Sequence, residues 1–303
     1  MDTVRIERWE FGEEAVPAHA YYGIRTKHAQ RRLTDTGKDY KHDLLAALAL
    51  LKKTAARTET ESGRLEARVG ALIERAAQEV ADGRWHEQFV FEPSRCGSGP
   101  LLSLNMNEVL ANRAMELMGE VKGSYHIVSP DWHAESPLHP NRYFSAAFQL
   151  AAIEYVRTIH RQAEALPPGI AGKISPVLTS LEERLRTLNG EHFDAGFISR
   201  LGAAAGLPLH AGILARQAYE TAYGQISSTM NAAISELEPA IRRIDSVELK
   251  AGIIQISAFR DMIAFMDRSG FSAQGMEEVT AYYAWQCMDL FYRALLKINQ
   301  IYH

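Results

Sequence analysis

The stretch Ser103–Gly119, SLNMNEVLANRAMELMG, gathers polar chemistry into one short segment: the side-chain amides of Asn105, Asn107 and Asn112 and the carboxylate of Glu108. Just before it, at 94–100, runs SRCGSGP. Backbone amides of a glycine-rich loop that feeds a helix N-terminus can bind a carboxylate or a phosphate. A plain structural reading accounts for the same residues. Asn105 and Glu108 have the N-cap and N3 spacing of a capping-box variant. Leu110, Ala114, Leu117 and Met118 fall on one helical face, and Gly119 stands where a left-handed C-cap is expected. Both readings stay open at this point. Nowhere do His, Asp and Glu cluster at metal-ligand spacing, so no metal and no cofactor is expected.

Helices must position these groups. Residues 42–61 are rich in Leu and Ala and free of Pro and Gly. Residues 64–82 repeat apolar side chains at three- and four-residue spacing. Further helices are expected over 105–118, 143–165, 176–188 and 275–301. LPPG at 166–169 stops the second of these. Residues 210–245 read as one very long helix, with Pro239 either kinking it or starting a second one. Strand signals are confined to QFVF at 88–91 and, more weakly, SYHIV at 124–128. Long helices without a heptad seam predict an all-α helical bundle, and their apolar excess predicts faces buried against other subunits. The expected division is an N-terminal helical domain over 1–140 and a central helical-bundle domain over 141–303.

The whole chain sets outer bounds. It has 303 residues, 47% of them hydrophobic, and a net charge of −4, enough for one large domain or two modest ones. No basic stripe or zinc-finger spacing points to nucleic acid. No apolar run reaches membrane-spanning length, and the first residues lack a secretory pattern. Cys96 and Cys287 stand far apart in sequence and suit a reducing cytoplasm better than a disulfide framework. A cytoplasmic protein is therefore expected.

Four segments carry a resemblance. The chain resembles the aspartase/fumarase superfamily, aspartate ammonia-lyases most of all, in RIERWEFGEEAVPAHAYYGIRTKHA (5–29), GRWHEQFVFE (83–92), SLNMNEVLANRAMELMGEVKG (103–123) and SPDWHAESPLHPNRYFSAAFQLA (129–151). The likeness is strong from about residue 5 to 160 and sparse afterwards. It implies a bundle of long helices, a homo-oligomer (tetramer or dimer) with sites shared between subunits, and no nucleic-acid or membrane partner. It also implies lyase chemistry, in which a loop serine takes a proton alpha to a carboxylate and donors from several loops hold the resulting dianion.

The residues depart from that pattern where the chemistry lies. The family's first loop carries Gly-Thr-Ser, which here reads Leu101-Leu102-Ser103; Ser103 is kept, but Leu102 donates nothing. The second loop's Ser-Thr-Asn-Asp becomes His139-Pro140-Asn141-Arg142, with Asn141 kept. His133 falls on a family histidine, and His28 stands where aspartases carry an arginine. The third block, with the family's catalytic serine, lysine and asparagine, matches best at ELKAGIIQISAFRDM (248–262). There Ile253 and Ile254 replace the serines, Phe259 the lysine and Asp261 the asparagine. The family's GRTxxQDA segment has no counterpart at 166–190, and its small C-terminal domain is not expected.

An ordinary aspartase or fumarase mechanism does not run on such residues. Two expectations remain. One is a repurposed enzyme of specialised metabolism, promoting elimination, conjugate addition or cyclisation on a less polar substrate. His139 and His133 would be its catalytic groups, with Ser103, Asn105, Asn141, His28 and Arg260 binding substrate. The other is a catalytically inactive pseudoenzyme that binds a ligand or a heteromeric partner, with His139 a plain loop histidine and Leu102, Ile253 and Phe259 filling the former site.

Overall fold

The computed structural model describes residues 3–10, 12–31, 42–91, 99–134, 140–187, 216–241, 246–269 and 277–302. Among these, nine helices and one hairpin form the elements: β1 (Val4–Trp9), β2 (Gly12–Pro17), α1 (Ile24–Gln30), α2 (His42–Glu61), α3 (Ala67–Ala81), α4 (Gly99–Leu117), α5 (Pro140–Glu164), α6 (Pro168–Thr187), α7 (Arg216–Ile241), α8 (Val247–Ser269) and α9 (Glu277–Tyr302). The all-α class holds. The described residues divide into two compact units, one up to Phe148 and one from Gln149.

The first unit contains the hairpin and α1 to α4. The strands pair antiparallel, with Arg5 opposite Val16 and Glu7 opposite Glu14. This hairpin was not legible from alternation, because its polarity runs backwards: Glu7 and Glu14 are buried while Val4 and Ile6 face outwards. Arg5 explains the inversion. Its guanidinium donates to the carbonyls of Pro17 (2.8 Å), Ala20 (2.7 Å) and Tyr22 (2.9 Å), and pairs with Glu7. Neither expected strand forms. Residues 86–88 make a single 3-10 turn instead, and 124–128 are turn and bend.

Helix α2 lies where its composition placed it and packs against α3 through Leu44, Leu45, Leu48 and Leu51 on one side and Val69, Ile73, Ala76 and Val80 on the other. The apolar stripe of α3 is what drives that contact. Helix α4 begins at Gly99, six residues before the expected cap, so Asn105 and Glu108 are interior positions. The other end is as read. Gly119 has φ +83°, its amide donates to Glu116 O, and the Glu120 amide donates to Met115 O, a Schellman closure.

In the second unit, Pro168 takes the first helical position of α6, where its missing N–H costs nothing, so this helix starts well before the expected Pro176. Pro239 lies in the last turn of α7 and starts no new helix. Helix α7 buries Tyr223, Ile226, Met230, Ala233, Ile234, Leu237 and Ile241 at helical spacing; α9 does the same with Ala284, Cys287, Met288, Phe291, Leu295 and Ile298. Tyr155 stacks on Trp285 with ring centroids 5.1 Å apart and donates its hydroxyl to Asp289 (2.8 Å).

Gly23, the N-cap of α1, has no room for a side chain: a Cβ there would lie 2.2 Å from Tyr125 Oη and 2.8 Å from Glu108 Oε1. Gly23→Ala is expected to cost roughly 2–4 kcal/mol of stability, a clash plus displaced buried hydrogen bonds. Urea unfolding followed by circular dichroism measures this. A loss within about 0.5 kcal/mol, as for a surface change, would show that the contact is not tight.

Candidate functional site

The buried half of α4 is the frame of the site. Asn105 is fully buried and spends its amide on backbone: Nδ2 donates to Gln88 O (3.0 Å) and Oδ1 accepts from the Val90 amide (3.1 Å). It ties Gln88 and Val90 to the middle of α4, where Asn105 is an interior residue and not the N-cap of this helix. Leu102 is wholly buried in the apolar core. Ser103, one residue on, is 1% exposed, and its hydroxyl has no hydrogen-bond partner.

Glu108 does not cap its own helix. It caps α1. The carboxylate accepts from the amides of Gly23 (2.8 Å), Arg25 (3.0 Å) and Thr26 (3.1 Å), and Glu7 accepts from Ile24 (2.8 Å). Burial pushes the Glu108 carboxyl above its usual range, while the amides and Arg25 pull it down. Around this knot, Asn112 donates to Tyr21 O (2.8 Å) and Tyr125 Oη (2.9 Å), and accepts from the Gly123 amide (2.6 Å). Burial, with Glu108 and Glu7 beside it, drives the Tyr125 phenol well above its ordinary value. Arg25 reaches the other way, donating to Asp131 (2.5 Å) from 3.6 Å beside Glu108.

That bond leads to the turn that carries His133. The Ser129 hydroxyl accepts from the amides of Asp131 and Trp132, and its carbonyl accepts from His133 and Ala134. The buried Lys52 ammonium reaches Ala134 O at 3.4 Å. The Ser129 amide donates to His133 Nδ1 (2.9 Å). With Nδ1 used as an acceptor, the neutral ring carries its proton on Nε2. Burial lowers the pKa of His133, which favours that neutral ring. The His133 Nε2–H can therefore donate a hydrogen bond to a ligand, while Nδ1 is engaged by the Ser129 amide.

The other expected site residues fall as follows. His139 lies outside the described residues. Asn141 is in the first turn of α5, and its side chain lies outside them too. His28 is half-exposed on α1, its Nδ1 4.0 Å from Glu14, which also pairs with Arg31 (2.9 Å). The third block does not form a loop: 248–262 runs inside α8, whose start is capped by the Ser246 hydroxyl accepting from the Leu249 amide (3.3 Å). Arg260 donates from Nε (2.9 Å) and Nη2 (2.6 Å) to the adjacent Asp261, so it is tied up on a solvated surface. Ile254 is 70% exposed, and Phe259 is partly exposed against Tyr283.

Glu7, Arg25, Lys52 and Tyr125 escaped sequence reasoning, since each acts on residues far along the chain. No group of three or more metal-ligating side chains occurs among the described residues. What the first unit offers a ligand is a pair of donors, Ser103 Oγ and His133 Nε2, beside the hydrogen-bonded knot around Glu108.

The Lyase family pattern matches residues 12–169. Aspartate ammonia-lyase of a Bacillus species is 37% identical over 203 residues, 64% of this chain and 43% of that one. Fumarate hydratase class II of Neisseria meningitidis is 33% identical over 214 residues, 68% and 46% of the two chains. The chain thus spans less than half the length of these relatives. A solved fumarate lyase:delta crystallin from Brucella melitensis shares the fold, with a TM-score of 0.82 at 20% identity over 98% of this chain and 84% of that one.

A buried hydroxyl with no partner is an unfavourable feature for folding alone. Ser103→Ala is expected to leave the protein equally stable or more stable by about 1 kcal/mol. Thermal unfolding reads this directly; a drop in melting temperature would mean that the hydroxyl is satisfied in the folded protein.

Proposed function

The chain belongs to the aspartase/fumarase superfamily of lyases, and on that ground we propose a diverged lyase-fold protein that acts on a less polar substrate than a dicarboxylate. The reaction class is elimination, conjugate addition or cyclisation, carried out in the cytoplasm without cofactor. His139, at the position of a family serine, is the candidate acid or base, and Ser103, Asn141 and the His133 Nε2–H hold the substrate. One observation carries the reading. The block that corresponds to the family's catalytic loop is continuous helix in α8, with isoleucine, isoleucine and phenylalanine where serine, serine and lysine would act. Without those donors the dianion formed by deprotonation alpha to a carboxylate has little to stabilise it.

The complete burial of Leu102 favours a second reading, a pseudoenzyme whose former carboxylate pocket is packed shut and which serves as a ligand-binding or partner subunit. Aspartate, malate and argininosuccinate separate the shared part of both readings from an ordinary lyase. Each is expected to yield no fumarate, and turnover of any of them would overturn both. Turnover of an apolar monocarboxylate that is lost in His139→Ala decides for the enzyme, and saturable binding without turnover decides for the pseudoenzyme.

Homo-oligomerisation belongs to the same proposal. Val247, Ala251, Ile254, Ala258 and Phe265 recur along one face of α8, and Val247 (81%), Ile254 (70%) and Phe265 (56%) are unusually exposed for large apolar side chains. Such a stripe suits a second copy better than water. Ile254→Glu is expected to lower the mass in solution by light scattering while leaving helical content unchanged; an unchanged mass would count against this face.

A further inference from the structure

Two imidazoles meet in the first unit, away from the groups assigned above. His42 is the first residue of α2, and His86 opens the single 3-10 turn His86–Gln88. Their ring centroids are 4.5 Å apart with the planes at 82°. His86 Nε2 lies 2.8 Å from Val80 O, in the last turn of α3, so the neutral ring donates there. That leaves Nδ1 as the atom that would take a second proton, and Nδ1 is buried without a hydrogen-bond partner. The Phe89 ring, 6.4 Å away and edge-on, offers it none. The residue before the turn, Trp85, has φ +64°, a left-handed conformation that side chains disfavour.

The turn is not peripheral. Gln88 Oε1 accepts from the Tyr21 amide (2.7 Å), Gln88 O accepts from Asn105, and Val90 donates to Asn105. The segment 86–90 therefore joins the chain ahead of α1 to the middle of α4. We propose that the His42–His86 contact is an acid-sensitive fastening of this segment, closed while His86 is neutral and opened when His86 gains its second proton.

Groups from α2, α3 and the turn itself act on the pair. Burial lowers the pKa of His86 most; the Val80 carbonyl of α3 opposes that, and His42 of α2 lowers it further. Glu87, on the turn itself, and Asp43 of α2 raise it, but less. The net direction is down. A folded-state pKa below the unfolded value means that the unfolded or opened chain takes the proton first. The fastening is then complete above about pH 6.5, the ordinary histidine value, and is lost progressively as pH falls from there through the folded-state value.

The test uses the full chain between about pH 7 and about pH 5, where an ordinary histidine titrates. Hydrogen exchange of peptides covering 86–90, corrected for intrinsic rates, is expected to rise several-fold on acidification, with little change in the middle of α3. In His86→Gln, which can still donate to Val80 O but does not titrate, the rise should vanish; a rise of the same size would overturn the proposal. Should that variant fail to fold, His42→Leu decides. Removing the second imidazole is expected to move the NMR titration midpoint of His86 to higher pH, towards the ordinary histidine value, and with it to shrink the acid-induced rise in exchange. A midpoint that moves without the exchange, or that does not move, sinks the idea.

Discussion

The first turn of α1 presents four amides that the helix itself cannot satisfy, those of Gly23, Ile24, Arg25 and Thr26. All four end on two buried carboxylates, Glu108 and Glu7. The arrangement is reciprocal. A carboxylate in a core is expelled or neutralised unless donors surround it, and a helix N-terminus in a core is equally costly without acceptors. Each makes the other affordable. Hydrogen bonds to charged groups contribute about 1.5–3 kcal/mol each, so breaking this knot costs far more than an ordinary surface change. Its partners come from β1, α1, α4 and the loop after α4, which makes it the joint of the first unit.

Geometry around the joint follows from that requirement. Two chains must come close enough to share a carboxylate. Glycine stands at 23, where a Cβ would strike Tyr125 and Glu108, and at 123, where it would strike Glu7. The hairpin is turned inside out because its inner face must deliver Glu7 and Arg5 rather than a hydrophobic layer. Arg25 passes the same order outward through Asp131 to the turn that orients His133. The turn that carries His133 is thus tied to the helix start that Glu108 fixes.

Local signals were legible wherever one segment settles its own structure. Helix α2 matched its composition, Gly119 its left-handed cap, and LPPG its stop. The family blocks were also legible, and residues 12–169 bear them out. What failed was of one kind. The spacing of Asn105 and Glu108 fits a capping box, but the partners of both are 15 to 85 residues away. Alternation missed the hairpin because buried charge, not apolar area, defines its inner face. The resemblance placed the family's third catalytic block on 248–262, where Ser246 gives a local start signal for α8. Sequence spacing reports contacts within an element; which distant carbonyl or carboxylate ends up opposite is decided by packing.

This separates the frame from the chemistry. The polar groups that hold α1, α4 and the His133 turn in place bond to one another or to backbone, and ask nothing of a substrate. The positions at which the family resemblance expects substrate contacts, Leu102 and Ser103 in the first unit and Ile254 and Arg260 in the second, are not among the side chains of the knot. Leu102 adds apolar burial where a threonine would bring a hydroxyl that needs a partner, so losing the donor there favours the fold. Arg260 finds its charge partner one residue away. Ser103 keeps a buried hydroxyl without a hydrogen-bond partner. A frame built on its own hydrogen bonds does not dictate the side chains at those positions, and the Ser103 hydroxyl is one whose presence packing does not explain.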